Sequence, residues 1–181
     1  SAFRWAPHWP LAGFPVAGKG DAVRVGMGWD RHRLRPGRPC VLGGVAFPDC
    51  PVGPVGHSDG DAVCHAVTDA VLGAAGLGDI GRHFPDTDPA WAGADSLDLL
   101  ARAWALVGAE GYAIGNVDLT VIAEEPRIAP AAARMEENLA RALGCDPGRV
   151  SVKATTTEWL GFTGREEGIA AAATATIRLP E

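Results

Sequence analysis

No apolar run in this 181-residue sequence is long enough to span a bilayer as a helix. The four cysteines, Cys40, Cys50, Cys64 and Cys145, show no paired C-x-x-C spacing, and Cys64 falls inside a predicted helix. Reduced thiols in a reducing compartment are therefore expected, and a secreted disulfide framework is not. Positive charge is short as well. Lys and Arg number 16 against 22 Asp and Glu, and the net charge of −6 argues against a nucleic-acid surface. No internal repeat is present. What remains is 47% hydrophobic and 21% charged residues, a balance that suits one globular domain with a sizeable core.

Residues 1–21 hold Trp5, Trp9, three prolines and Gly18-Lys19-Gly20 without a helical or strand period. They are expected to form an N-terminal extension or linker, with the domain proper at 22–181. Beyond them strands and helices alternate. Strand-like runs cover 23–29, 116–122, 149–155 and 168–178, and helical periodicity covers 58–75, 95–109 and 128–143. Ser58 and Asp61 read as a capping box before Val63, Val67, Ala70, Val71 and Ala74. Asp95 or Ser96 caps the second helix, whose apolar face is Leu99, Leu100, Ala103, Leu106 and Val107. In the third, Ile128, Met135, Leu139 and Leu143 form that face, and Gly111 and Gly144 mark C-terminal ends. The pattern predicts an α+β fold in a single domain, a small mixed β-sheet covered on one face by helices.

Chemistry concentrates in three places. The stretch from His57 to Asp69 crowds two imidazoles and several carboxylates around one helix start, with Asp61, His65 and Asp69 at i, i+4, i+8 spacing. A metal-bound His65 would then have a carboxylate one turn away on either side to orient its ring. An acidic first turn that merely answers the helix dipole, with one core histidine, is the plainer alternative. In the first strand Val23, Val25, Met27 and Trp29 alternate with small or polar residues, the period-2 pattern of a half-buried strand. Extending the alternation places Asp30 and His32 on one side and turns Arg31 away. Asp-x-His joined by a distant histidine makes a sensible three-ligand zinc site with a fourth position open. Last, Thr155-Thr156-Thr157-Glu158 follows a short strand, and its hydroxyls, backbone N–H groups and hard oxygen suit phosphate and magnesium.

These segments occur together with Gly28-Trp29-Asp30-Arg31-His32, Gly43-Gly44-Val45, Gly56-His57-Ser58-Asp59-Gly60-Asp61, Leu77-Gly78-Asp79-Ile80-Gly81, Phe84-Pro85-Asp86-Thr87-Asp88-Pro89 and Lys153-Ala154-Thr155-Thr156-Thr157-Glu158. In that order, over about 24–177, they resemble the 2-C-methyl-D-erythritol 2,4-cyclodiphosphate synthase family of the non-mevalonate isoprenoid pathway. Trp29 and Arg31 depart from the phenylalanine and valine more usual beside Asp30, without removing a ligand.

The resemblance implies a CMP-releasing phosphorus-oxygen lyase that acts on 4-diphosphocytidyl-2-C-methyl-D-erythritol 2-phosphate. It makes Asp30, His32 and His65 the ligands of a divalent cation, expected to be Zn2+, close to the substrate. Glu158 becomes a ligand of a second ion, Mg2+ or Mn2+, on the substrate diphosphate. His57 and Thr156 take catalytic roles, the threonine with Thr155 and Thr157 beside it, while His57 and Ser58 hold the erythritol phosphate. Asp79, Ile80, Gly81, Phe84, Asp86 and Asp88 belong to a loop around the methylerythritol, and Ala123, Pro126, Arg127 and Ala129 to the cytidine pocket. The family further implies a homotrimer with active sites between subunits, and an axial cavity where Phe162 and Arg165 meet an isoprenoid diphosphate. An arginine–glutamate network of Arg165 and Glu167 that seals the trimer is the alternative there. Bacterial cytoplasm or plastid stroma is the expected location. Two rivals from other classes are a zinc hydrolase that uses bound water and a non-catalytic binder of isoprenoid phosphates.

Overall fold

The computed structural model describes residues 23–179, so the extension expected at 1–21 lies outside the described residues. The elements are β1 (Arg24–Pro36), β2 (Val41–Leu42), β3 (Val45–Ala46), β4 (Val52–Pro54), α1 (Ala62–Ala75), α2 (Ile80–His83), α3 (Ser96–Ala109), β5 (Ala113–Ile122), α4 (Ala132–Ala142), β6 (Val150–Thr155), α5 (Gly161–Gly164) and β7 (Gly168–Arg178). Five strands form one sheet in the order β4-β1-β7-β5-β6. Among the described residues only β5 and β6 run parallel, and α4 supplies the crossover that a parallel pair needs. Helix α1 lies against β1 and β7, α4 lies against β6, and α3 packs on both helices. The expected mixed sheet with helices on one face is present. No helix among the described residues is long and apolar enough to cross a membrane.

The alternation in β1 is real, but the side it buries is the reverse of what its apolar residues suggest. Val25, Met27 and Trp29 are 64%, 70% and 46% exposed, while Gly26 and Gly28 face the helices. Close approach explains the inversion. A Cβ on Gly28 would stand 1.9 Å from the Ala66 carbonyl oxygen, and one on Gly26 would stand 2.0 Å from that of Ala70. Backbone meets backbone here, so only glycine fits, and the small Ala66, Ala70 and Ala74 complete the seam. The large side chains of β1 are left on the open face.

Helix α1 also starts later than expected. Gly60 adopts a φ of 80°, and Asp61 is the N-cap, accepting from the amides of Val63 at 3.0 Å and Cys64 at 3.1 Å. The same carboxylate accepts from Gly43 N at 2.9 Å and Gly44 N at 2.8 Å. Those two glycines form the two-residue turn between β2 and β3, with φ of 56° and 68°, values that suit a primed hairpin turn. Asp61 thus ties the hairpin to the helix, and the Ser58–Asp61 capping box does not form. Burial raises the Asp61 carboxyl, and the amides of Gly44, Gly43 and Cys64 oppose that shift.

The remaining elements fall close to their expected limits. Asp95 caps α3, but Leu106 on its supposed apolar face is 41% exposed. Ile128, Met135, Leu139 and Leu143 are all buried, although a 3-10 turn at Ala129–Ala131, carrying Pro130, precedes α4. The four cysteines are free thiols.

Candidate metal centre and substrate clefts

Asp30 and His32 stand two residues apart on the helix-facing side of β1, and His65 comes down to them from the first turn of α1. The glycine seam lets the helix approach closely enough for the three side chains to meet. His32 Nε2 is 2.8 Å from Asp30 Oδ2, His65 Nδ1 is 3.1 Å from the same oxygen, and the two nitrogens are 3.0 Å apart. Among the described residues this is the one group of three His, Cys, Asp or Glu side chains placed to hold an ion. Imidazole and carboxylate are suitable donors for a divalent cation, and three protein ligands leave room for a fourth. Arg31 points to the opposite face, as the alternation requires.

The carboxylates expected to orient the His65 ring do other work. Asp61 is spent on four backbone amides, and Asp69 accepts from Ile80 N at 2.7 Å. The rings are held instead by neighbours far away in sequence. His32 Nδ1 donates to the Val55 carbonyl at 2.8 Å, so a neutral His32 turns its Nε2 lone pair into the cluster. His65 Nε2 lies 2.9 Å from Ser96 Oγ and 3.0 Å from Ser58 Oγ.

Electrostatics couple the cluster to protons. Burial acts to raise the Asp30 carboxyl, but hydrogen bonds and charge from His32 and His65 outweigh it and hold the group well below the usual carboxylate range. Burial acts to lower His32, and its hydrogen bond and ion pair with Asp30 prevail and raise it above its ordinary 6.5. In the metal-free protein the contribution of His32 to stability is fully present below 6.5 and is lost as pH rises through the raised value. That of Asp30 is present above 3.8 and is lost as pH falls through the depressed value. The pair therefore contributes most between 3.8 and 6.5. A cation must displace the proton on His32. Metal affinity is expected to rise about tenfold per pH unit below that raised value, with release of about one proton per ion. Calorimetric titration in buffers of different ionisation enthalpy measures this, and uptake with no proton released would contradict it.

The cluster lies at one end of a cleft of about 480 Å³, which His57, Ser58, Ile80, Gly81, Phe84, Asp86, Trp91 and Leu99 also line. His57 Nε2 donates to the Asp88 carbonyl at 3.0 Å. Phe84 stacks edge-on against Trp91, with ring centroids 5.0 Å apart. Asp79 and Asp88 do not line this cleft. Each caps a short turn, Asp79 accepting from Arg82 N at 3.0 Å and Asp88 from Ala90 N at 2.9 Å.

A second cleft of about 440 Å³ gathers Ala123, Pro126, Arg127 and Ala129 with Thr155, Thr156 and Trp159. Glu158 stands beside it, its Oε1 accepting from Thr156 Oγ1 at 3.3 Å. Glu158 and Trp159 both take left-handed backbone conformations, with φ of 52° and 64°. Strain of that kind persists only where surrounding contacts enforce it. Here Glu124 supplies them, as its Oε1 accepts from Thr157 N at 3.0 Å and Trp159 N at 3.3 Å. The Thr157 hydroxyl donates to the Leu160 carbonyl at 2.7 Å, so this threonine secures the loop and lines neither cleft. No local pattern marks Glu124 for this role, since Thr157 and Trp159 lie 33 and 35 residues away in the sequence. Phe162 lines a third, smaller cleft of about 220 Å³ with Arg31, His32, Arg33, Glu167 and Gly168. Arg165 is paired with Glu167 through contacts of 2.9 and 3.1 Å.

Residues 23–178 match the model of the YgbB family. The chain belongs to that family. Its relatives include the 2-C-methyl-D-erythritol 2,4-cyclodiphosphate synthase of Symbiobacterium thermophilum, 60% identical over 84% of this chain and 97% of that protein. The synthase of Ralstonia nicotianae is 58% identical over 86% of this chain and 92% of its own length. Among solved structures, the IspF of Plasmodium falciparum in a CDP complex superposes with a TM-score of 0.77 at 33% identity, covering 88% of this chain and 98% of that one. The bifunctional IspDF of Campylobacter jejuni gives a TM-score of 0.84 at 42% identity over 88% of this chain, which spans 43% of that longer protein. The matched residues include both clefts and the Asp30, His32 and His65 group.

Proposed function

We propose that this YgbB-family protein is a phosphorus-oxygen lyase that converts 4-diphosphocytidyl-2-C-methyl-D-erythritol 2-phosphate to 2-C-methyl-D-erythritol 2,4-cyclodiphosphate and CMP. The carrying observation is the Asp30–His32–His65 cluster in a cleft shared with His57 and Ser58. Relatives bearing the synthase name cover the chain that builds it.

In the reaction an oxygen of the substrate's 2-phosphate attacks the β-phosphorus. The new P–O bond closes the ring, the bond from the β-phosphorus to the bridging oxygen breaks, and CMP leaves with that oxygen. No water is consumed and no protein nucleophile is needed, so positioning and charge compensation carry the catalysis. Asp30, His32 and His65 would hold Zn2+, which when bound supplies Lewis acidity toward a phosphate oxygen. Glu158 would hold Mg2+ or Mn2+ on the diphosphate. His57 and Ser58 engage the erythritol phosphate. Ile80, Gly81, Phe84 and Asp86 enclose the methylerythritol, while Asp79 and Asp88 shape that loop through their caps. The segment from Ala123 to Ala129 receives the cytidine, and the Thr155 and Thr156 hydroxyls face the phosphates.

The active unit in this proposal is a homotrimer. Asp30 pairs with Ala171, Ala171 with Val121, and Val121 with Ala154, so the metal ligands and the threonine loop end one row of the sheet from opposite sides. Three inter-strand steps separate them by ~14 Å, and the two clefts share no lining residue. A cleft of one subunit facing the other cleft of its neighbour would bring them to a single substrate. The exposed stripe of Val25, Met27 and Trp29 is the kind of surface such a neighbour covers. At the trimer axis, Phe162 and Arg165 would be the residues to meet an isoprenoid diphosphate. The existing Arg165–Glu167 pair favours the sealing role, because a diphosphate would have to compete with it.

Phosphorus NMR of the protein with substrate, Zn2+ and Mg2+ tests the activity. CMP with a cyclic diphosphate is expected, and CMP with only linear phosphate would replace the lyase with a hydrolase. Thr156→Ala is expected to retain metal and assembly while lowering kcat about 10²-fold, by analogy with loss of a single charge-stabilising donor. Steady-state kinetics beside metal analysis measures it, and an unchanged kcat would remove Thr156 from the chemistry.

A further inference from the structure

The nitrogen of His65 that turns away from the cluster, Nε2, meets the hydroxyls of Ser58 and Ser96. Asp59 lies in the loop before α1, and Ser96 is the first residue of α3. Ser96 Oγ is 2.5 Å from Asp59 Oδ1, and Ser96 N donates to Asp59 Oδ2 at 3.1 Å. Asp59 Oδ1 also accepts from Asp61 N at 3.1 Å. An ionised carboxylate only accepts, so the single hydroxyl proton of Ser96 goes to Asp59. Ser96 Oγ then has only lone pairs left for His65 Nε2, 2.9 Å away. Nε2 therefore carries a proton, and a second one on Nδ1, toward Asp30 Oδ2 at 3.1 Å, is the one a cation would displace.

We propose that Asp59 and Ser96 are positioning residues that hold His65 as its Nε2–H tautomer and so commit the Nδ1 lone pair to the metal. The inference rests on the metal reading of the cluster. It matches the arrangement of His32, where the Val55 carbonyl fixes the proton on Nδ1 and leaves Nε2 to face the same point. The two histidines present opposite ring nitrogens to one ion, each chosen by an acceptor outside the cluster.

Ser58 follows a different course. Its Oγ lies 3.0 Å from His65 Nε2 and receives a long contact from Gly60 N at 3.4 Å. Because Nε2 is a donor, Ser58 accepts there and keeps its own proton. The other hydroxyl near it is Ser96 Oγ at 3.4 Å, too long for a strong bond. Ser58 lines the cleft, and its proton is available to a phosphate oxygen there. Two adjacent serines are thus divided between orienting the histidine and meeting the ligand.

The test starts with nitrogen-15 NMR of the histidine rings in metal-free protein, followed by Zn2+ titration against a competing chelator. Wild type is expected to show His65 protonated at Nε2. Asp59→Asn keeps the shape but can place an N–H donor against Ser96 Oγ, which turns the serine proton onto Nε2 and the ring proton onto Nδ1. This variant and Ser96→Ala are expected to bind Zn2+ about 10- to 100-fold more weakly. The tautomer should shift toward Nδ1–H in Asp59→Asn, a change that a merely structural role would not produce. A wild-type His65 protonated at Nδ1 alone overturns the relay even if no variant folds. So does Zn2+ affinity within twofold of wild type in both folded variants. Failure of wild type to bind Zn2+ would instead remove the metal reading itself, a different result from either of these.

Discussion

Replacing His65 by alanine is expected to strip the cation from the protein and to reduce turnover by at least about a thousandfold, the equivalent of roughly 4 kcal/mol of lost transition-state stabilisation. The substitution removes the Nδ1 atom that completes the cluster with Asp30 Oδ2 and His32 Nε2. Two ligands on one strand cannot enclose an ion as three on two elements do. The fold should survive, because α1 is anchored by Val63, Val67, Val71 and Leu72, all fully buried. Metal analysis and circular dichroism on the same sample separate loss of the ion from loss of structure. A folded, fully metallated and active His65→Ala protein would refute the ligand assignment.

Gly28→Ala is expected to be the most damaging change of a single methyl group, destabilising the protein by about 3 kcal/mol or preventing folding. Its Cβ would meet the Ala66 carbonyl oxygen at 1.9 Å and the Ala70 amide nitrogen at 2.8 Å. Both are helix backbone, which cannot turn aside as a flexible side chain can. The helix would have to lift from the strand, and His65 would lift with it, away from Asp30 and His32. Gly73→Ala, in the same helix, gives the contrast. Nothing lies within 4 Å of its added methyl, and a gain of ~0.5–1 kcal/mol is expected from helix propensity. Urea unfolding of the metal-free variants measures both. Equal stability of the two would show that the seam is not as tight as the backbone contacts indicate.

The grouping of Asp30, His32 and His65 was legible because these residue types are rare and their local spacing is geometric. Asp30 and His32 share a side of β1 by the period of a strand, and His65 follows at a helix start marked by polar residues. Element order was equally open to reading, since the periodicities of α1, α3 and α4 and the long run of β7 are local properties. The short pieces β2, β3, β4, α2 and α5, of two to four residues each, are too brief to carry a period. The capping box at Ser58 was a sound local expectation. It yielded to Asp61 because that carboxylate could reach the amides of Gly43 and Gly44 as well, and those come from another part of the chain.

By itself, then, the sequence marked the residues proposed to hold a cation and phosphates, and the helices and long strands that carry them. Tertiary structure alone decided which side of β1 is buried, because the approach of α1 excludes any side chain larger than glycine there. It also decided which nitrogen of each histidine is free, since Val55 lies 23 residues from His32 and Ser96 lies 31 from His65. Hydrogen-bond direction at a ring nitrogen depends on the acceptor that folding places beside it, and no local pattern encodes that neighbour.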